Sequence, residues 1–306
     1  MGAARRLVSM WLPRPGRFMA PPCSIVCISG ELAHPGDVQK GKEAHGVMAK
    51  YDGYVGAFDS GVGGISVLKA MVRELPHEKF IYYGDSANAP YGDKEDEQVR
   101  QLASNVVDRM VDDGVKAIVI ACNTATSAAK ETVRAAHPEL PILGVEPALK
   151  PALKANMPGD ILVMATRMTL RRDSYKQLVR EYGWMSDDRI VQLPCPGLSD
   201  LVETGDLDGK PMRDYLENLL APYAGNVGSV VLGCTHYPFV REQIRRIVGD
   251  VPFFDGGQGT AHHLRHRLEE NGLLAPDTQE GSVEFASSME GDDILKVYRR
   301  LYRLPL

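Results

Sequence analysis

The sequence predicts an α/β protein of two similar lobes, each a mainly parallel sheet flanked by helices, with an active site in the cleft between the lobes. Three observations predict it. From Tyr54 onward, short apolar runs alternate with amphipathic stretches of helical period, the pattern of βαβ units. The apolar runs are continuous rather than alternating, as in strands covered on both faces. Finally, two segments echo each other. KAIVIACNTAT (116–126) and GSVVLGCTHYP (228–238) each pass from strand to Cys to a polar, Thr-containing turn, with helices before and after.

In chain order, YVGAFDS (54–60) reads as a strand ending in a turn, GISVLKAMVREL (64–75) as an amphipathic helix and KFIYYGD (79–85) as a strand. Residues 95–112 read as helix and KAIVIAC (116–122) as a buried strand. ATSAAKETVRAAH (125–137) is a helix stopped by Pro138, and LPILGV (140–145) is a strand. A second run opens at DILVMAT (160–166), a weaker echo of YVGAFDSGVGG. It continues through helical YKQLVREYG (175–183), strand RIVQLPC (189–195), helical PMRDYLENLLAPYAG (211–225), strand SVVLGC (229–234), helical REQIRRIVG (241–249) and strand VPFFDGG (251–257). The expected division is an N-terminal extension at 1–50, a first lobe at 51–147 plus 252–306, and a second lobe at 148–251.

Composition narrows the class. A net charge of -5 argues against a dedicated nucleic-acid binder, which carries a basic face. No apolar run approaches the roughly 20 residues that span a membrane. The five cysteines, at 23, 27, 122, 195 and 234, form no disulfide framework and no CxxC pair, so a reducing, cytoplasmic compartment is expected. The first fifty residues differ from the rest, with arginines, prolines and no acid before Glu31. Their apolar stretch, Leu7 to Leu12, is cut off by Pro13 and Arg14, too short for a secretory signal. A transit peptide, a disordered extension and a start codon set too far upstream all fit that composition. Met48 opens a fresh segment that runs into the first strand, and a chain beginning there is expected to fold and work. Cys23 and Cys27 read as incidental.

In open α/β sheets, ligands bind outside the carboxyl ends of the strands. Two facing lobes would put Cys122 and Cys234 on opposite walls of one cleft; chance recurrence of strand-end cysteines also explains the echo. Paired thiols suit a reaction that takes a proton from one face of a carbon and returns one to the other. Their pKa, near 8.5, lies within tuning range of neutrality. Behind Cys122, Asn123 and Thr124 lead into a helix N-terminus, which favours anions such as a carboxylate; they also serve as helix caps. His236, two residues past Cys234, either tunes that thiol or is structural. Cys195, inside LPCPG, reads as a small buried hydrophobe. Asp59 and Ser60 end the first strand where a substrate ammonium or a proton acceptor is needed, and glycines 61, 63 and 64 permit close backbone approach.

Other chemistries fit less well. GVGGIS (61–66) approximates a dinucleotide turn with Asp85 as the ribose acid, but Ser66 stands at the third glycine and Asp59-Ser60 crowds the turn. No P-loop ending is present. Zinc on Cys122, Cys234 and His236 lacks ligand spacing, so no metal is expected. A Cys–His hydrolase leaves one cysteine unused.

FDSGVGG (58–64), YYGDSANAPYG (82–92), ACNTAT (121–126), GVEPA (144–148), CPGLSDLVETG (195–205) and LGCTHYP (232–238) together resemble the glutamate racemase family, within the aspartate/glutamate racemase superfamily. The resemblance runs from Tyr54 to Asp255, about two thirds of the chain. It implies two α/β lobes, a site between them, no cofactor, glutamate as substrate, a homodimer, and D-glutamate supplied for peptidoglycan. By motif, Cys122 matches the base acting on D-glutamate, with Asp59 assisting, and Cys234 the base acting on L-glutamate, supported by Glu203 and His236. Ser60, Tyr91, Gly92, Asn123, Thr124 and Thr235 would hold the carboxylates and ammonium, with Asp59 and His236 alongside. Without the resemblance, Glu203 reads as a solvated helix residue and Tyr91 as a loop residue.

One segment departs from the family pattern. In the run from Thr166 to Tyr175 that opens the second lobe, Arg172 stands where Ser is usual. Arg167, Arg171 and Arg172 would either strengthen anion binding or salt-bridge across the lobe. Two rival functions are another amino-acid racemase of the superfamily, such as one for aspartate, and a non-catalytic small-molecule-binding protein on this scaffold. The intact cysteine pair argues against the latter.

Overall fold

Strands whose side chains are apolar on both faces need cover on both faces, and a computed structural model, which describes residues 50–182 and 189–306, shows how it is supplied. The expectations for the N-terminal extension, Cys23, Cys27 and a start at Met48 lie outside the described residues. The first sheet holds β1 (Val55–Asp59), β2 (Lys79–Gly84), β3 (Ala117–Ile120), β4 (Ile142–Gly144) and β9 (Ser282–Ser287) in the order β4-β3-β1-β2-β9. The second holds β5 (Asp160–Ala165), β6 (Ile190–Pro194), β7 (Val227–Leu232) and β8 (Phe253–Asp255) in the order β6-β5-β7-β8. Every strand pair in both sheets is parallel.

The second sheet repeats the core of the first. In each, the opening strand is followed by a neighbour on one side, and the chain then crosses to the other side for the third strand. That reversal leaves a crevice at the carboxyl ends of β1 and β3 in one sheet, and of β5 and β7 in the other, where such folds bind ligands. Cys122 follows β3 and Cys234 follows β7, so the sequence echo is a repeat of topology. The helices are α1 (Ile65–Glu74), α2 (Asp96–Asp112), α3 (Asn123–Ala136), α4 (Leu149–Ala155), α5 (Arg167–Arg171), α6 (Asp173–Tyr182), α7 (Leu198–Glu203), α8 (Lys210–Leu220), α9 (Arg241–Val248), α10 (Gly257–Glu270) and α11 (Asp293–Arg303). One apolar cluster includes Ile65 and Leu68 of α1, Val202 of α7, and Tyr237 and Phe239 after β7, so the two lobes share a core.

Two features differ from the sequence expectation. The boundary placed before residue 252 falls later, because β8 pairs with β7 in the second sheet and the return to the first begins after Asp255. The last fifty residues also carry structure that the alternation did not reveal. β9 joins the edge of the first sheet beside β2, with Val283 and Phe285 packed on the core and Glu284 accepting a 2.7 Å hydrogen bond from Tyr54 OH. An edge strand with one wet face is short on apolar residues, so SVEFAS carries little strand signal. The α11 residue Tyr298 is fully buried and packs edge-on against Tyr82, ring centroids 5.6 Å apart.

Candidate active site

The segments leaving β1, β3, β5 and β7 converge on a cavity of about 20 Å3 between the sheets. Ser60, Tyr91, Gly92, Cys122, Asn123 and Thr124 line it from the first lobe, and Thr166, Ser199, Cys234, Thr235 and His236 from the second. This space holds about one water. It is too small to hold an amino acid as it stands.

On the first wall, Cys122 caps α3, its Sγ accepting the Ala125 N–H at 3.4 Å. The thiol donates to Ser60 Oγ at 3.8 Å, and that hydroxyl in turn donates to Asp59 Oδ1 at 3.2 Å. Burial, and then the charge of Asp59, push the Cys122 thiol well above its ordinary range. The Asp59 carboxyl is fully buried and is itself raised by that burial, against the lowering pull of His236 and of the hydrogen bonds from Gly61 and Thr235. Its oxygens are occupied by the Gly61 N–H (2.8 Å) and the Thr235 hydroxyl (2.8 Å).

On the second wall, Cys234 Sγ lies 3.6 Å from His236 Nδ1 and 3.6 Å from Ser199 Oγ. His236 Nε2 lies 2.6 Å from Glu203 Oε1, and the same oxygen accepts the Val62 N–H at 2.8 Å. Burial alone would pull the His236 pKa down; the hydrogen bonds to Cys234 and Glu203 prevail and hold it well above 6.5. The raised pKa favours the protonated ring, which donates to Glu203. Each lobe thus reaches into the other: Glu203 holds the β1 turn through Val62, and Thr235 holds Asp59.

The structure brings together, in two layers, the residues that the family resemblance assigns to the site. Asp59 and Glu203 stand behind the cavity wall rather than on it, so neither carboxylate faces the space where a substrate ammonium was expected. Tyr91 is on the wall because its hydroxyl donates to Asp85 Oδ2 at 2.6 Å, while Asn88 Nδ2 donates to Oδ1 at 3.0 Å. Asp85, the ribose acid of the dinucleotide alternative, is spent on those two contacts. Burial and the bond to Asp85 keep the Tyr91 phenol neutral. Asn123 Nδ2 donates to Val145 O at 3.5 Å. Cys195 is buried away from this wall, its thiol on Leu193 O at 3.3 Å. Arg167, Arg171 and Arg172 do not line the cavity; Arg172 pairs instead with Asp96 of the first lobe, at 2.7 Å. Among the described residues no three His, Cys, Asp or Glu side chains are grouped to hold a metal ion, and no helix is long and apolar enough to cross a membrane.

Sequence reasoning missed Ser199 and Thr166. Thr166 follows β5 as Ser60 follows β1, so the weaker echo between the two opening strands held that signal. Ser199 sits within CPGLSDLVETG, where spacing alone does not show that one turn of α7 aims it at Cys234.

The close glycines are a packing requirement. A Cβ on Gly61 would sit 1.9 Å from Glu203 Oε1. Gly61→Ala is expected to displace the Glu203 carboxylate, the mobile end of a side chain, and leave the fold intact. Activity should fall about tenfold or more, equivalent to about 1.4 kcal/mol of barrier, and the thermal midpoint should drop as the Glu203–His236 contact is lost. Full activity in this variant would show that the Glu203–His236 contact is dispensable.

The model of the Asp/Glu/Hydantoin racemase family matches residues 60–264. The chain belongs to that family. Among its similar relatives are glutamate racemases. That of Clostridium acetobutylicum is 47% identical over 251 residues, covering 82% of this chain and 97% of the relative. Among solved structures, the Escherichia coli glutamate racemase in complex with L-glutamate and the activator UDP-MurNAc-ala has a TM-score of 0.69 at 28% identity, covering 81% of this chain and 95% of the other. The Francisella tularensis glutamate racemase in complex with D-glutamate has a TM-score of 0.69 at 26% identity, covering 83% and 95%.

Proposed function

We propose that this chain is an isomerase, a cofactor-independent glutamate racemase that interconverts L- and D-glutamate with Cys122 and Cys234 as its two acid/base groups. The observation that carries the reading is the pair of thiols, one from the switch point of each sheet, facing one cavity from opposite walls. Each has its own polar support: Ser60 and Asp59 behind Cys122, Ser199, His236 and Glu203 behind Cys234.

The chemistry follows from that arrangement. With L-glutamate bound, the Cys234 thiolate takes the α-proton and the Cα–H electron pair stays on the substrate as a carbanion. The Cys122 thiol then donates its proton to the opposite face, giving D-glutamate. One turnover leaves Cys234 protonated and Cys122 deprotonated, which is the form that acts on D-glutamate. Burial and Asp59 oppose a thiolate at Cys122, so a substrate ammonium beside it offsets part of that cost. The α3 N-terminus, with the N–H groups and side chains of Asn123 and Thr124, offers a seat for a carboxylate. The Tyr91 and Thr235 hydroxyls, Gly92 and the His236 cation supply further polar contacts. A homodimer in the cytoplasm, supplying D-glutamate for peptidoglycan, completes the reading.

The test is circular dichroism of L-glutamate and, separately, L-aspartate incubated with the full chain and no added cofactor. Decay of the glutamate signal alone is expected. Decay with aspartate instead would move the assignment to another substrate in the family, and decay of neither would remove the racemase reading.

A further inference from the structure

A cavity with room for about one water must open for each substrate and close again around it. The contacts across its mouth therefore govern the reaction without touching the reacting atoms. Where the two walls meet, Thr166 Oγ1 lies 3.3 Å from Thr124 Oγ1 and its methyl side faces Gly92, where a Cβ would come within 3.1 Å of Thr166 Cγ2. Thr166 also caps α5, a helix of five residues, and Arg172 closes the other end of it. Arg172 Nη2 reaches across to Asp96 Oδ1, at 2.7 Å, on the first residue of α2. The stretch just before α2 carries Tyr91 and Gly92. The ion pair thus ties together two short segments, one from each lobe, that each bear residues of the cavity wall.

The pair is also built to release. The Arg172 side chain is mostly buried, 18% exposed, whereas Asp96 is 56% exposed. Arg172 Nη2 also leans on Met168 Sδ at 3.8 Å, while its Nε is buried with no hydrogen-bond partner. Closure gains the attraction to Asp96 and loses the hydration of Nε; opening reverses both. Opposed contributions of this kind leave a small net bias. Such a contact holds the lobes together without locking them.

We propose that Arg172 and Asp96 form a releasable latch across the mouth of the cleft, and that Arg172 is a positioning residue acting through lobe closure. Its link to turnover rests on the racemase reading; the latch itself is tested without activity.

The experiment is amide hydrogen exchange on the full chain, following residues 85–96 and 160–172 in wild type, Arg172→Gln, Asp96→Asn and the exchanged pair Asp96→Arg with Arg172→Asp. Exchange in both segments is expected to accelerate about threefold in each single variant, the scale of a partly screened ion pair. It should return to the wild-type rate in the exchanged pair. Raising salt from about 0.05 M to about 1 M should accelerate wild type and leave Arg172→Gln unchanged. Unchanged exchange in the single variants, or failure of the exchanged pair to restore it, overturns the latch. In racemisation assays, Arg172→Gln should alter kcat for the two enantiomers by the same factor, because the latch touches neither face of the substrate; unequal factors would make Arg172 a substrate contact instead. If wild type racemises nothing, the exchange measurements still decide the latch.

Discussion

Cys122→Ser and Cys234→Ser should each lower racemisation about 10²- to 10⁴-fold, the usual worth of a positioned acid/base group. A serine hydroxyl keeps the shape of the site but is far too weak an acid to exchange protons near neutrality. Because L- and D-glutamate are enantiomers of equal free energy, any variant must keep kcat/KM equal in the two directions. The division of labour therefore cannot be read from that ratio. It can be read from α-proton exchange in deuterated water. Cys122→Ser retains Cys234, and should place deuterium slowly into L-glutamate without inverting it; Cys234→Ser should do the same with D-glutamate. NMR of the α-position, with a chiral separation, resolves the two. Near-full racemisation by either variant would end the two-base reading, and exchange into the opposite enantiomer would reverse the roles.

Removing the His236 imidazole is the second large effect. His236→Ala leaves the Glu203 carboxylate facing Val62 N–H alone and takes a cation away from Cys234. A loss of about 10²-fold in kcat/KM is expected, with a stability cost of about 3 kcal/mol for breaking a buried pair. The pH dependence has a definite sign. The folded-state pKa of His236 is raised above its ordinary 6.5, so its stabilisation is fully present below that value and fades as pH rises through the folded value. Thermal melts of wild type and His236→Ala from about pH 6 to about pH 10 should show a gap in midpoint that narrows toward alkaline pH. A gap that widens would mean that His236 is held neutral.

Much of this was legible in the sequence because strand and helix periods are local properties. The apolar runs VGAFD, AIVI and VGSVVL are covered on both faces and announce parallel strands by composition alone. β9 was not legible, since its strand character comes from pairing with β2 rather than from its own residues. The same distinction holds in the site. Cys122, Cys234, Asn123, Thr124 and Thr235 lie within four residues of a strand end, so locating the strands located them. Glu203 and Tyr91 gave no local signal, and entered only through the resemblance of their motifs.

Cys122 and Cys234 were visible by themselves as two strand-end thiols on repeated units. That they share one cavity was decided by the two sheet reversals, which bring the carboxyl ends of β3 and β7 together. Tertiary structure also separated the wall from its support. Asp59 reads as a substrate contact in sequence and Glu203 as a solvated helix residue, yet both stand behind the cavity, because Thr235 and Val62 cross from the opposite lobe to occupy their oxygens. Arg172 shows the same limit. Its charge is plain in the sequence, but its partner is 76 positions away, and only the approach of the two lobes pairs them.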